Sequence, residues 1–234
     1  MLGNERIMNR SIELESLKES LKTATGIVRG QALIKLGRLT LHSDHKRSST
    51  MAQEAEAIAI AQEDEKTRSM ALNLLCDAKF MEGQNNDALD LVNQALEIQM
   101  PIKDPELLVR SYTQLGNIYL RLSKYEGCIQ YYEKAIDLYK QLKHDSGIAL
   151  INCNMALVYK QLGEYEESLK AGDVAARLYR RLGNDTGLAR TLANNATVLF
   201  DQGYNLESIK LHMKALKIRE RLEDKEGIAQ SLGC

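Results

Sequence analysis

Apolar positions recur along this chain at three- and four-residue intervals and do not alternate. Tyr112, Leu115, Gly116 and Tyr119 form one stripe, and Cys128, Ile129, Tyr132, Ala135 and Ile136 form the next. That spacing predicts amphipathic helices. A short polar segment, "LSKYE" from Leu122, separates the two stripes, and "MEGQN", "LGEYE" and "DQGYN" hold the same place elsewhere. Gly83, Gly163 and Gly203 sit in these segments, where a helix C-terminus takes a left-handed residue. Asp104, Asn184 and Asp224 stand before a new helix and are good N-cap types, and Pro105 suits a first helical position. Each unit therefore predicts a helix–turn–helix hairpin.

The hairpin repeats. Gly147, Gly187 and Gly227 are spaced by 40 residues, as are Ala95, Ala135, Ala175 and Ala215. "RSYTQLGNIYLRL" from Arg110 overlays "LINCNMALVYKQL" from Leu150, and "MALNLLCDAKFME" from Met70 fits the same frame. A poorer copy precedes Thr67, with "QALIKLGRL" as its first half and "MAQEAEAIAIA" as its second. Fixed-period self-similarity of this kind is the signature of a stacked-repeat architecture.

The order of large residue, Leu-Gly, Tyr, Gly-x-Tyr, small residue and Ala resembles the tetratricopeptide repeat. In "YTQLGNIYLRLSKYEGCIQYYEKAI" the matching residues are Tyr112, Leu115, Gly116, Tyr119, Tyr125, Cys128, Tyr132 and Ala135. The family repeat is about 34 residues, and here it is stretched, mostly in the second helix and the loop that follows. The resemblance implies an all-α solenoid of antiparallel helix pairs wound into a right-handed superhelix. About five repeats are expected, at 27–66, 67–106, 107–146, 147–186 and 187–226, with the start of another at 227–234. Residues 1–26 form the remaining segment. Ile7, Leu14, Leu17 and Leu21 give it one apolar side, which predicts a helix capping the first repeat, the alternative being a dimer contact.

Composition narrows the function. Two prolines, two phenylalanines and no tryptophan accompany 44% hydrophobic residues, and nothing suggests a sheet. A net charge of −1 offers no broad basic face for a nucleic-acid backbone. No stretch has the length of a membrane span or the short apolar core of a signal peptide, so a soluble cytoplasmic protein is expected. Cys76 falls where other repeats carry Gly116, Ala156 and Ala196, and Cys128 where they carry Ala88, Ser168 and Ser208. Both read as small hydrophobes at close helix contacts. Cys153 and Cys234 are isolated, and His42, His45, His144 and His212 are scattered, so no metal site or cofactor is expected. Phosphate-binding loops and nucleophile elbows are missing, and the dense charges of "KALKIRERLEDKE" suit a solvated helix face. No catalytic residue is assigned.

What remains is a groove. The resemblance implies that the first helices line a concave face. The residues pointing into it would include Arg110, Gln114, Asn117, Leu120 and Arg121 in one repeat and Leu150, Asn154, Leu157, Lys160 and Gln161 in the next. Arg190, Asn194, Thr197, Phe200 and Asp201 follow, while Met70, Leu74, Asp77, Phe80 and Met81 make the N-terminal half more apolar. Amides can hold an extended backbone, and arginine suits a carboxylate. The expected partner-binding residues are Arg110, Asn117, Asn154, Lys160, Arg190 and Asn194, with a peptide or protein as ligand. Family members that bind chaperone tails use a five-residue carboxylate clamp. Asn117, Asn154 and Arg190 match three of its places, while Thr113 and Asn194 replace two of its cations.

The "KEGIAQSLGC" segment from Lys225 supplies only the beginning of a new repeat. The reading is therefore of a piece of a longer protein, with more repeats or another domain after Cys234 and a possible homodimer through an uncapped terminus. The 40-residue units, their "D-x-x-G-I/L-A" junctions and second helices such as "KALKIRERL" resemble the N-terminal repeats of bacterial signalling proteins. Such proteins end in diguanylate cyclases, nucleotide cyclases or histidine kinases; kinesin light chains have repeats of comparable length. Two functions are thus expected in competition: a regulatory module that senses a ligand, and a free-standing adaptor.

Overall fold

A computed structural model describes residues 2–224, 227 and 228, with side chains from residue 12 onward. Among these residues there are eleven helices and no strand. They are α1 (Leu2–Thr23), α2 (Gly26–Thr40), α3 (His45–Ala61), α4 (Glu65–Met81), α5 (Asn85–Ile102), α6 (Pro105–Arg121), α7 (Tyr125–Gln141), α8 (Asp145–Gln161), α9 (Tyr165–Arg181), α10 (Asp185–Asp201) and α11 (Asn205–Arg221). The chain forms two compact units, Met1–Leu122 and Ser123–Cys234.

Turn chemistry sets the helix ends. Asp104 accepts from the Glu106 N–H, Asn184 from the Gly187 N–H and Asp224 from the Gly227 N–H, each shielding an orphan donor of the helix start. His144 fills the equivalent place with an imidazole: its Nδ1 accepts from the Gly147 N–H at 3.0 Å. The expected left-handed glycines are found, with φ of 79° at Gly83, 77° at Gly163 and 84° at Gly203. Ser123 takes the same conformation, at φ 57°, although its Cβ makes that region costly.

In the first unit α1 packs on α2, α2 on α3 and α4, and α4 on α5 and α6. Leu14, Leu17 and Leu21 of α1 lie against a core that includes Leu33, Ile34, Leu36, Met51, Leu74 and Leu75. Ile7, expected on the same apolar side, lies outside the residues whose side chains are described. In the second unit each helix from α7 to α10 packs on its successor, and α8 also meets α10. Ala95, Ala135, Ala175 and Ala215 are fully buried, as their common register requires. Cys76 and Cys128 are buried as well, and burial pushes the Cys76 thiol well up, so it stays protonated and acts as a small apolar group. Where serine takes the place of Cys128 it also bonds across the hairpin. Ser168 Oγ donates to the Ala156 carbonyl and Ser208 Oγ to the Ala196 carbonyl, both at 2.7 Å. Of the segment 227–234, only Gly227 and Ile228 are described. Gly227 is buried, its carbonyl accepting from Arg219 Nη1 at 2.8 Å; Leu232 and Cys234 lie outside the described residues.

Candidate interaction surface

The first helices carry the expected binding residues, and each unit presents its own set. In the first unit the polar face runs over α2, α4 and α6. Asp77 of α4 lies at its centre: one carboxylate oxygen accepts from Arg110 Nη2, the other from Gln114 Nε2 at 2.6 Å. Arg38 of α2 is close enough to feel both charges. Its burial and the like charge of Arg110 push its pKa down to about 10, and Asp77 opposes them. Arg110 bonds this carboxylate while Arg38 interacts with it through charge alone, and the Nε of each guanidinium lacks a hydrogen-bond partner. Asn117 is half-buried on α6, at the repeat position that Asp77 holds on α4. Beyond it, Arg121 lies over the Phe80 ring at 3.8 Å from the centroid, a cation–π contact.

In the second unit the face runs over α8 and α10. Asn154 is half-buried, with Nδ2 at 3.4 Å from the Tyr132 hydroxyl, and Asn194, one repeat on, points Nδ2 at Cys153 Sγ at 3.9 Å. These long bonds are weak. Lys160 forms an ion pair of 3.2 Å with Asp201. Arg190 is exposed and borders an open cleft of about 400 Å³ with Tyr139, His144, Leu150 and Tyr179. Burial raises the Tyr179 pKa, and Arg190 counteracts it. Phe200 leaves 63% of its surface to solvent on the same helix as Arg190 and Asn194.

Four of the six expected residues therefore belong to the second unit and two to the first. Sequence reasoning missed the internal pairing of the cations: Arg110 is held by Asp77 and Lys160 by Asp201. Each acid occupies a groove position of the repeat next to its cation's, but which groove side chains meet is set by how the helices pack. Among the described residues Arg190 has no such acid and is the most available of the three. Among the described residues no cluster of His, Cys, Asp or Glu could hold a metal ion, and no helix is long and apolar enough to cross a membrane.

Tetratricopeptide-repeat family models match residues 67–141, 149–171 and 188–226. The chain belongs to the tetratricopeptide-repeat family. Its antiparallel helix pairs are the solenoid of that family, and similar solved structures share the fold. BtubC (BKLC) from P. vanneervenii is 18% identical over 94% of this chain and 92% of its own, with a TM-score of 0.74. A signal-transduction ATPase with numerous domains from Pyrococcus horikoshii carries a tetratricopeptide-repeat sensor. It is 18% identical over 87% of this chain, a match that spans 32% of that protein, with a TM-score of 0.72. NprR in complex with its cognate peptide NprX is 18% identical over 89% of this chain and 61% of its own, with a TM-score of 0.66. No curated protein sequence matches significantly.

Proposed function

We propose that this tetratricopeptide-repeat protein is a non-catalytic module that binds a peptide or protein segment on its first helices, as a regulatory part of a cytoplasmic bacterial signalling protein. The observation that carries the reading is a pair of half-buried amides one repeat apart on the first helices of the second unit, Asn154 on α8 and Asn194 on α10; the first unit carries the half-buried Asn117 on α6. An amide held on a helix can donate to and accept from a ligand's extended backbone at once. Arg190, exposed beside the Asn194 turn, adds a cation for an acidic side chain or a terminal carboxylate. The likeness to NprR with its peptide and to a repeat sensor in a larger signalling protein supports a sensing role. The likeness to BtubC over nearly the whole of that chain favours a second reading, an adaptor made of repeats alone.

The test is a binding isotherm for a partner recovered by pull-down. Asn154→Ala with Arg190→Ala is expected to weaken binding more than tenfold, since each lost hydrogen bond costs about 0.5–1.5 kcal/mol and a charge-assisted one about 1.5–3. Lys217→Ala, on the exposed side of α11, is the silent control. Unchanged affinity in the double variant would move the site off the first helices.

A further inference from the structure

The second helices of the C-terminal unit enclose two clefts in equivalent positions, one repeat apart, and their charges are opposite. The cleft between α7 and α9, about 520 Å³, is bordered by Glu133, Asp137 and Lys140, and the lysine is bonded to Asp137 at 3.2 Å. The cleft between α9 and α11, about 670 Å³, has Lys170, Arg177, Arg180 and Lys214 around a single acid, Asp173. Arg177 replaces Asp137 in the repeat frame, and Lys214 replaces Val174. Lys170 is satisfied by Glu166 and Glu167 at 3.0 and 2.9 Å, and Asp173 is held by Asn195 Nδ2 at 3.2 Å. Arg177, Arg180 and Lys214 have no carboxylate partner among the described residues; Arg177 makes one long bond, 3.4 Å, to the Asp173 carbonyl. The same cleft has an apolar lining of Val174, Ala176, Leu192 and Leu211.

We infer that the α9–α11 cleft is a second docking site, distinct from the first-helix face, for an acidic amphipathic helix of a partner protein. Complementarity of charge and of surface type identifies the occupant. Three uncompensated cations call for carboxylates, and the apolar lining between them calls for aliphatic side chains on the same segment. Along α9 the cleft lining runs from Lys170 to Arg180, roughly 15 Å at the helical rise, which matches about three turns of a bound helix. A nucleic acid fits less well, because its phosphate backbone would continue into the acidic α7–α9 cleft and be repelled there.

The experiment uses the whole chain and a fluorescent 16-residue helical peptide with leucine at i, i+3 and i+7 and glutamate at the flanking positions. A peptide of the same composition in scrambled order and a single-stranded oligonucleotide are the comparisons. The ordered peptide should bind in a saturable, salt-sensitive manner. Arg177→Glu with Arg180→Glu should weaken it at least tenfold while the helical circular dichroism and melting temperature stay near the parent's, since both side chains are exposed. Asn154→Ala with Arg190→Ala should leave it unchanged, separating this site from the first-helix face. Equal affinity for the charge-reversed variant, equal affinity for the scrambled peptide, or preference for the oligonucleotide would each overturn the proposal.

Discussion

The same three repeat positions build two different junctions in the two units. In the first unit they are Asn73, Gln99 and Ser111, all fully buried. Gln99 Nε2 donates to Asn73 Oδ1 at 3.1 Å, Asn73 Nδ2 to Ser111 Oγ at 2.8 Å, and Ser111 Oγ to Gln99 Oε1 at 2.8 Å. Gln114 extends the ring, its Nε2 donating to the Asn73 carbonyl at 2.7 Å. In the second unit the three positions are Cys153, Tyr179 and Thr191, with one weak contact from Thr191 Oγ1 to Cys153 Sγ at 3.4 Å. Here shape replaces hydrogen bonding. The Tyr179 ring covers Gly187 so closely that a Cβ there would stand 2.6 Å from it. The first unit carries the buried Leu107 at that glycine's position, opposite the smaller Gln99. The exchange is one of volume as well as polarity: a large residue on the second helix requires glycine on the next first helix, and a small one admits leucine. A closed polar ring fixes register through direction, and a ring on a glycine fixes it through fit.

The strongest way to break this comparison is Asn73→Leu. It leaves Gln99, Ser111 and Gln114 short of partners, at about 1–3 kcal/mol for each buried group so orphaned. Cys153→Ala, at the equivalent position, removes roughly one methyl-sized apolar group and should cost about 1 kcal/mol. Urea midpoints measure both, and equal losses would mean that the polar ring does not hold the first unit's junction. Next in size is Gly187→Ala, where overpacking against Tyr179 should cost about 1–3 kcal/mol. Combining it with Tyr179→Leu should give less than the sum of the two single losses, because the neighbours are coupled. Strict additivity in thermal melts would contradict the fit between ring and glycine.

The smallest effect concerns pH. Burial, aided by the positive charge of Arg219, holds the His212 pKa below its ordinary value, and its Nδ1 is buried without a partner. The unfolded chain then takes up the proton first, so stability is fully present above about pH 6.5 and declines as pH falls below it. His212→Gln should flatten that decline in the second unit by less than about 1 kcal/mol, read from hydrogen exchange of α11 amides at pH 7 and pH 5. An unchanged slope would remove His212 as a cause.

The repeat frame was legible because it rests on periodicity. Fully buried Ala95, Ala135, Ala175 and Ala215, the capping side chains at Asp104 and Asn184, and the left-handed glycines are local requirements that recur at the same step. His144 as a cap and Ser123 in a left-handed turn were not legible, since neither residue type favours those roles and only the surrounding helices impose them. The first-helix residues could be placed on a face from the frame alone. Their partners could not, because Asp77 reaches Arg110 and Asp201 reaches Lys160 diagonally across neighbouring helices, a relation set by how the helices pack. By itself, then, the sequence determined the helices, their pairing and the small residues at their contacts, because each depends on spacing within one or two turns or on a fixed repeat step. Only the tertiary structure decided which charges cancel and which stay open, as at Arg177, Arg180 and Lys214, because electrostatic pairing depends on distances between side chains that lie far apart along the chain.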